Sequence, residues 1–221
     1  PWKALMPAGS DMISSPKVIP AALALGFAMV SLTNGLGATR VVENLGDGLE
    51  PGTLRSVLAA AQSGEVIVFA DGLQGTITLG GGGELCIDKD LTLRGPGAGL
   101  LTVRGNGAGR VFTITNATVN LSGVTIAGGR LVGTNGLDPA AGETVFGAGL
   151  LNLHSVAGFV VTLTDCVFRQ NVALGGAGAG ILFSNGKPGG GAYGAALFNN
   201  AVLRVGGCSF VGNTVTGGEG G

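Results

Sequence analysis

The stretch VNLSGVTI at residues 119–126 recurs twice further along the chain, as VTLTDCVF at 161–168 and LRVGGCSF at 203–210. Each copy lies 42 residues after the one before. In each copy, alternating aliphatic and polar residues give the two-residue period of a strand buried on one face. A break at Ser122-Gly123, Thr164-Asp165 or Gly206-Gly207 then leads to a second run of three residues. Three-residue strands separated by bends suit a chain that winds so that each turn stacks on the last. Similarity at a fixed period is the mark of such repeat architectures. The last two copies continue as FRQN (168–171) and FVGN (210–213), so Asn171 and Asn213 should stack at a turn. There asparagine tolerates unusual backbone angles, and its amide can pair with its neighbour's.

Working outward, short strands are expected at Val66–Phe69, Thr76–Leu79, Leu91–Leu93, Leu101–Val103, Val111–Ile114, Val119–Leu121 and Val124–Ile126. The earlier steps are shorter, about 25 residues from Val66 to Leu91 and 28 from Leu91 to Val119. Each 42-residue step therefore reads as one coil plus an inserted loop, at 130–145 and at 184–194. Glycine-rich units, GAGLL at 147–151, GAGIL at 178–182 and GAAL at 194–197, lie between the copies. One helix is expected at 53–62, with Thr53 as N-cap, Gly64 beyond its end and one apolar stripe of Leu54, Val57, Leu58 and Ala61. The fold class that follows is all-β: a parallel β-helix of about four complete coils and a partial fifth, with 39–64 as an N-terminal cap and 65–221 as the helix proper, incomplete at its C-terminal end. A β-sandwich is the rival, and it predicts antiparallel hairpins.

Composition agrees with tightly turning β structure. Glycine fills 45 of 221 positions, about three times average usage, and charged residues make up 11% where about 25% is usual. Hydrophobic residues reach 45%, which argues against disorder, and glycine shows no three-residue period, which excludes collagen. A formal charge of −1 gives no basic footprint, so nucleic acid is not an expected partner. The apolar run VIPAALALGFAMVSL (18–32) is short for a membrane span and is interrupted by Pro20. With Lys17 before it and the small-residue stretch 35–38 after it, residues 1–38 read as leader and secretory signal peptide, starting at Met12 and cleaved after Ala38. A buried or membrane-anchoring helix is the alternative. No membrane span is expected in the mature chain.

The stretch from LGDGLEPGTLRSVLAAAQSGEVIVF (45–69) through DLTLRGPGAGLLTVRG (90–105) to VNLSGVTIAGG (119–129) resembles the opening of secreted bacterial right-handed β-helix proteins of the pectin-lyase-like type. The FxxN motifs and the GAGL and GAGI units are similar to the FxxN and GGA[ILV] repeats of chlamydial-type polymorphic outer-membrane proteins. The resemblance covers about residues 40–221 and implies right-handedness, a short helix capping the first coil, and a place outside the cell at the bacterial envelope. It leaves function open, because this fold hosts lyases, hydrolases, adhesins and passive fibres. The GGA units here are GAG or GAA variants, and no C-terminal β-barrel translocator is present in the sequence.

Sites of chemistry are few. Asp88 and Asp90 flank Lys89 in the pattern of acidic calcium ligands beside a base that a lyase would need, but a solvated turn fits them better. Arg94, Arg104 and Arg110 would form a basic strip if the coils aligned. Asp165 corresponds to Gly123 and Gly207, so no stacked pair of carboxylates arises for a hydrolase. His154-Ser155 has no acidic partner for a triad. The runs Gly80–Gly83 and Gly189–Gly191 lack the Lys-Ser/Thr of a phosphate loop. Asn116-Ala-Thr118 and Asn120-Leu-Ser122 match a glycosylation sequon, a match common by chance, and as core strand positions they are expected to be poorly accessible. Cys166 and Cys208 occupy equivalent places and read as stacked core residues; with one histidine in the chain, no Cys/His zinc set is available. No catalytic residue, cofactor or metal is expected.

Two functions follow as expectations. The first is a secreted or cell-surface, non-catalytic structural or adhesin-like module, with surface glycans or host and matrix proteins as partners. The alternative is a carbohydrate-active enzyme, a polysaccharide lyase or glycoside hydrolase, whose site lies in the inserted loops or beyond Gly221. An open sheet edge in the last coil would also favour edge-to-edge self-association.

Overall fold

The computed structural model describes residues 37–180 and 186–221. The expected leader therefore lies outside the described residues except for Gly37 and Ala38, and the unit at 178–182 and the loop at 184–194 lie partly outside them.

Strand β1 (Thr39–Val42) precedes the helix α1 (Leu54–Ala60). Then come β2 (Glu65–Phe69), β3 (Gly75–Thr78) and β4 (Leu85–Ile87), followed by β5 (Leu91–Arg94), β6 (Leu101–Arg104) and β7 (Phe112–Thr115). The next level is longer: β8 (Val119–Ser122), β9 (Thr125–Ala127), β10 (Arg130–Val132), β11 (Val145–Phe146) and β12 (Leu150–Leu153). It is repeated by β13 (Val160–Thr164), β14 (Val167–Arg169), β15 (Val172–Leu174), β16 (Ala192–Tyr193) and β17 (Leu197–Asn199). The last strands are β18 (Val202–Gly206), β19 (Ser209–Val211) and β20 (Thr214–Thr216).

Every strand pairing among them is parallel, and each sheet takes one strand from each successive level. The largest runs β1-β2-β5-β8-β13-β18, and beside it stand β3-β6-β9-β14-β19 and β4-β7-β12-β17. The fold is mostly β, with stacked parallel sheets compatible with a parallel β-helix; the antiparallel hairpins of a sandwich do not occur among the described residues. The three copies of the deciding stretch fall in register. Val161 lies between Val119 and Leu203, Leu163 between Leu121 and Val205, and Phe168 between Ile126 and Phe210.

The interior is built from the inward positions. Ile67, Leu91, Leu93, Val119, Leu121, Val161 and Leu163 are buried on one wall, facing Ile77, Val103, Ile126 and Phe168 and then Leu85, Phe112 and Leu150. The rings of Phe168 and Phe210 stack with centroids 5.1 Å apart. Leu54, Val57 and Leu58 of α1 belong to the same buried cluster. The helix is shorter than expected: the Thr53 hydroxyl accepts the Ser56 N–H as N-cap, while Ala61 is already extended.

Corner geometry explains which residues recur. Between the first and second sheets the chain turns through a left-handed residue at Gly123, Asp165 and Gly207, with φ of 65°, 51° and 63°. Only glycine adopts this without strain, and aspartate is among the side chains that tolerate it best.

Three expectations need correction. First, the residue opposite Leu91 is Glu65, not Val66. Glu65 takes an inward position because its carboxylate is paired with Arg40 of the adjacent strand and accepts the Gln62 N–H at 2.9 Å. Second, the segment 130–145 is not all loop. It begins with β10 and ends with β11, which head two further sheets, β10-β15-β20 and β11-β16. The connection proper is residues 133–144. The GAGL unit at 147 stacks on the GAAL unit at 194, with Leu150 opposite Leu197. Third, the sequon asparagines are not poorly accessible: Asn116, just past β7, and Asn120, on the outer face of β8, are both exposed.

Asn171 does stack on Asn213. Its Nδ2 donates to Asn213 Oδ1 (2.9 Å) and to the Ile126 carbonyl (3.1 Å), while its Oδ1 accepts the Gly129 N–H (2.9 Å). The side chain is fully buried. Asn171→Ala would leave a buried N–H and a carbonyl without partners, so a loss of about 2–4 kcal/mol is expected in urea unfolding. The same change at the outward-facing Asn120 should stay within about 0.5 kcal/mol. Equal effects at both positions would refute the buried ladder.

The hydrogen bonds from Arg40, helped by the Gln62 N–H, hold the Glu65 carboxylate below the usual range. A lowered acid pKa stabilises the fold above the unfolded value, and this is lost as pH falls through the folded one. The Tm of the native chain should therefore exceed that of Glu65→Gln at neutral pH, with the gap closing as pH falls below about 4–5. A gap independent of pH would show that the ion pair is not its source.

Candidate functional site

Charged residues singled out in the sequence turn out to brace neighbouring levels. Asp90 Oδ1 accepts the Thr118 N–H at 2.7 Å, and its carbonyl accepts the Gly64 N–H. Lys89 donates to the Ala61 carbonyl at 3.3 Å and lies 3.6 Å from Asp88. The turn is solvated as expected, with Asp88 and Asp90 exposed, and it also ties one level to the next. Arg94, Arg104 and Arg110 do not form a strip, since Arg94 lies on β5, Arg104 on β6 and Arg110 just before β7, in three different sheets. Arg110 is bound to Glu84 and to the carbonyls of Phe146 and Gly147. A depression of about 540 Å³ beside Asp47 contains Arg55, whose guanidinium bonds to Asp47 and to the carbonyls of Gly82, Gly83 and Glu84.

The most elaborated place is the corner after β12. Elsewhere the same corner is short: residues 116–118 join β7 to β8, and residues 200–201 join β17 to β18. Here it takes six residues, HSVAGF at 154–159, and Gly158 turns with a φ of 110°. The longer loop folds out over the shorter corner and leaves a cleft of about 290 Å³ between His154–Phe159 and Asn200–Val202. Asn200 also lines a second groove of about 320 Å³ on the outer face of β12 and β17, where Leu151, Leu153, Phe146 and Phe198 form an apolar shelf beside Arg110. Phe146 stacks on Tyr193 (5.4 Å) and meets Phe198 edge-on (4.8 Å).

A chain of amides fixes the protonation of His154. Asn199 Nδ2 donates to the Ala201 carbonyl (2.7 Å), so its Oδ1 faces Asn152 and accepts from Asn152 Nδ2 (2.6 Å). Asn152 Oδ1 is therefore the acceptor for His154 Nε2, 2.5 Å away, and Nε2 carries the proton. Nδ1 is left as a bare acceptor, buried and without a hydrogen-bond partner. Burial pushes the imidazole pKa below its ordinary value, favouring the neutral ring, which lies 5.3 Å from Phe159.

Ser155 does not serve His154 as a nucleophile. Its hydroxyl and its backbone N–H both go to Asn116 Oδ1, at 3.0 and 2.9 Å. Asn200 Oδ1 accepts the His154 backbone N–H at 3.1 Å, and its Nδ2 donates to no group among the described residues. The corner is thus an uncharged set of donors and acceptors beside the shelf of Leu151, Leu153, Phe146 and Phe198. The sequence reading missed it, because it depends on Asn152 meeting Asn199 across 47 residues. The one legible signal was the extra length of HSVAGF. Among the described residues, no group of three or more metal-binding side chains converges, and no helix is long and apolar enough to cross a membrane.

Comparison with protein-family models, with curated proteins and with solved structures finds no match.

The cysteines are stacked as expected, with all three thiols free and the Cys166 N–H donating to Cys208 Sγ at 3.4 Å. Burial pushes the Cys166 thiol up to about 11. Iodoacetamide at about pH 8 should therefore alkylate exposed Cys86 and half-buried Cys208 in the native chain, Cys86 slowed by partial desolvation that raises its thiol pKa, and Cys166 only on unfolding. Native-state labelling of Cys166 at the rate of Cys86, followed by mass spectrometry, would contradict this burial.

Proposed function

We propose that this chain is a secreted or cell-surface protein of the bacterial envelope, a non-catalytic structural or adhesin-like module. It would be a right-handed parallel β-helix of four to five coils whose first coil is capped by α1, similar to pectin-lyase-like and polymorphic outer-membrane proteins. The order β1-β2-β5-β8-β13-β18 supports the coil count, and the burial of Leu54, Val57 and Leu58 supports the cap.

The observation that carries the reading is how polar groups are used. Arg40, Arg55, Lys89, Asp90, Arg110, Asn152 and Asn171 are each committed to bonds between one part of the stack and the next. Groups so engaged hold a rigid stack together and offer little acid–base chemistry. The 154–159 corner and its adjoining shelf would then supply the contact surface.

The experiment is expression of the full chain in a bacterium, with N-terminal sequencing of the product and incubation with a panel of acidic and neutral polysaccharides. Export with a new terminus at Thr39 and unchanged polymer chain length are expected. Retention of an intact N-terminus in the cytoplasm would overturn the secreted assignment, and cleavage of any polymer would overturn the non-catalytic one.

A further inference from the structure

We propose that Cys166 and Cys208 form a redox site, a pair of thiols that a small disulfide oxidises to a bridge locking the β18–β20 level to the level before it. The register places the pair. Thr164 lies opposite Gly206 and Val167 opposite Ser209, so the cysteines between them occupy equivalent places on adjacent levels. Such levels are about 4.8 Å apart, inside the span of about 4.4–6.8 Å between Cα atoms that a disulfide bridges. The Cys166 N–H donates to Cys208 Sγ at 3.4 Å, which sets that sulfur against the Cys166 backbone. The third cysteine, Cys86, lies opposite Thr113 in another sheet, with no sulfur on the level next to it.

The two thiols differ in access, and this assigns their roles. Cys208 is half-buried and open to a small oxidant, while Cys166 is buried. The Cys208 thiolate attacks one sulfur of a low-molecular-weight disulfide, RS–SR. A Cys208–SR bond forms, the RS–SR bond breaks, and the released thiolate takes up the Cys208 proton as RSH. Cys166 Sγ then attacks Cys208 Sγ, and the second RS group leaves with the Cys166 proton. Two protein thiols are thereby oxidised to one disulfide, and one RS–SR is reduced to two RSH. Cys166 needs no access to solvent for this step, because its target is the sulfur beside it. Burial, together with the adjacent Cys208 thiol, pushes the Cys166 thiol up to about 11, so the second step is the slower one. The native fold gives up little. The Cys166 thiol leaves the carbonyls of Thr164 (3.3 Å) and Leu121 (3.6 Å), and the Cys208 thiol that of Gly206 (3.4 Å), and a thiol is a weak donor. The bridge closes a loop of 42 residues, which restricts the unfolded chain. Its use in the cell rests on the proposed export, since such bridges persist outside the reducing cytosol, but the chemistry itself does not.

The test is incubation of the full native chain with oxidised glutathione at about pH 8, followed by mass spectrometry and non-reducing tryptic mapping. A glutathione adduct at Cys208 is expected first. That glutathione should then be lost, with a net loss of two hydrogens, as the peptide ending at Arg169 becomes joined to the one beginning at Val205. Cys86 should keep its adduct, having no thiol beside it. Melting is compared in Cys86→Ser, which carries no adduct there: the bridged form should melt about 10 °C above the reduced form, and dithiothreitol should reverse the gain. Cys166→Val places at this position the side chain that Val124 supplies one level earlier, so it should fold, and in it Cys208 should stop at the glutathione adduct. If Cys166→Val fails to fold, Cys208→Ser serves instead, with neither bridge nor melting shift expected. A Cys208 adduct that persists in the native chain while Cys166 stays free would overturn the proposal. So would a bridge that forms only in urea, or one that leaves the melting temperature unchanged or lower. None of these results bears on export, which N-terminal sequencing decides.

Discussion

Parallel strands stacked in register about 4.8 Å apart set the terms for everything else in this protein. At that spacing a side chain's nearest neighbour is the side chain at the equivalent position one level away. Like must therefore lie on like, or on something it can bond. Val119, Val161 and Leu203 satisfy the rule with aliphatic contact, Phe168 and Phe210 with stacked rings, and Asn171 and Asn213 with paired amides. Glu65 satisfies it only because Arg40 sits on the strand next to it. The corners impose the companion rule on the backbone, so that a left-handed residue appears at the same place on three levels.

The rule also explains what could be read from the sequence. Aliphatic positions and left-handed corners leave marks in residue type, and for that reason 119–126, 161–168 and 203–210 align by eye. Asn171 and Asn213 were legible for the same reason. Glu65 was not, because a charged residue ordinarily signals solvent, and its partner is 25 residues away on another strand. Strands β10, β11, β15 and β16 are two or three residues long and flanked by glycine, so alternation has no room to show itself. The basic strip failed on geometry: residues spaced along the chain by less than one level land on different walls.

The candidate site was the least legible part. The His154 tautomer is set by two side-chain amides in sequence, Asn199 and Asn152, and the bond that joins them spans 47 residues. What the chain does locally is lengthen one corner, from two or three residues to six. The contrast between a stack that obeys a repeat and a loop that departs from it separates positions constrained by architecture from positions free to acquire a use.

The in-register repeat has a genetic consequence. Residues 119–126 and 161–168 are interchangeable as far as backbone pairing is concerned, since each residue of one lies opposite its counterpart in the other. An unequal crossover between their coding segments would remove or add 42 residues and return the reading frame to the same wall, the same corner and the same ladder. An insertion of an odd number of residues within a strand would turn the inner face outward, and one of an even number would break the match between corners. The connections between strands share this constraint, because Gly136 N–H donates to the Ala177 carbonyl, Gly176 N–H to that of Glu143 and Gly190 N–H to that of Gly176. A change by whole levels is therefore the one that preserves both strands and connections.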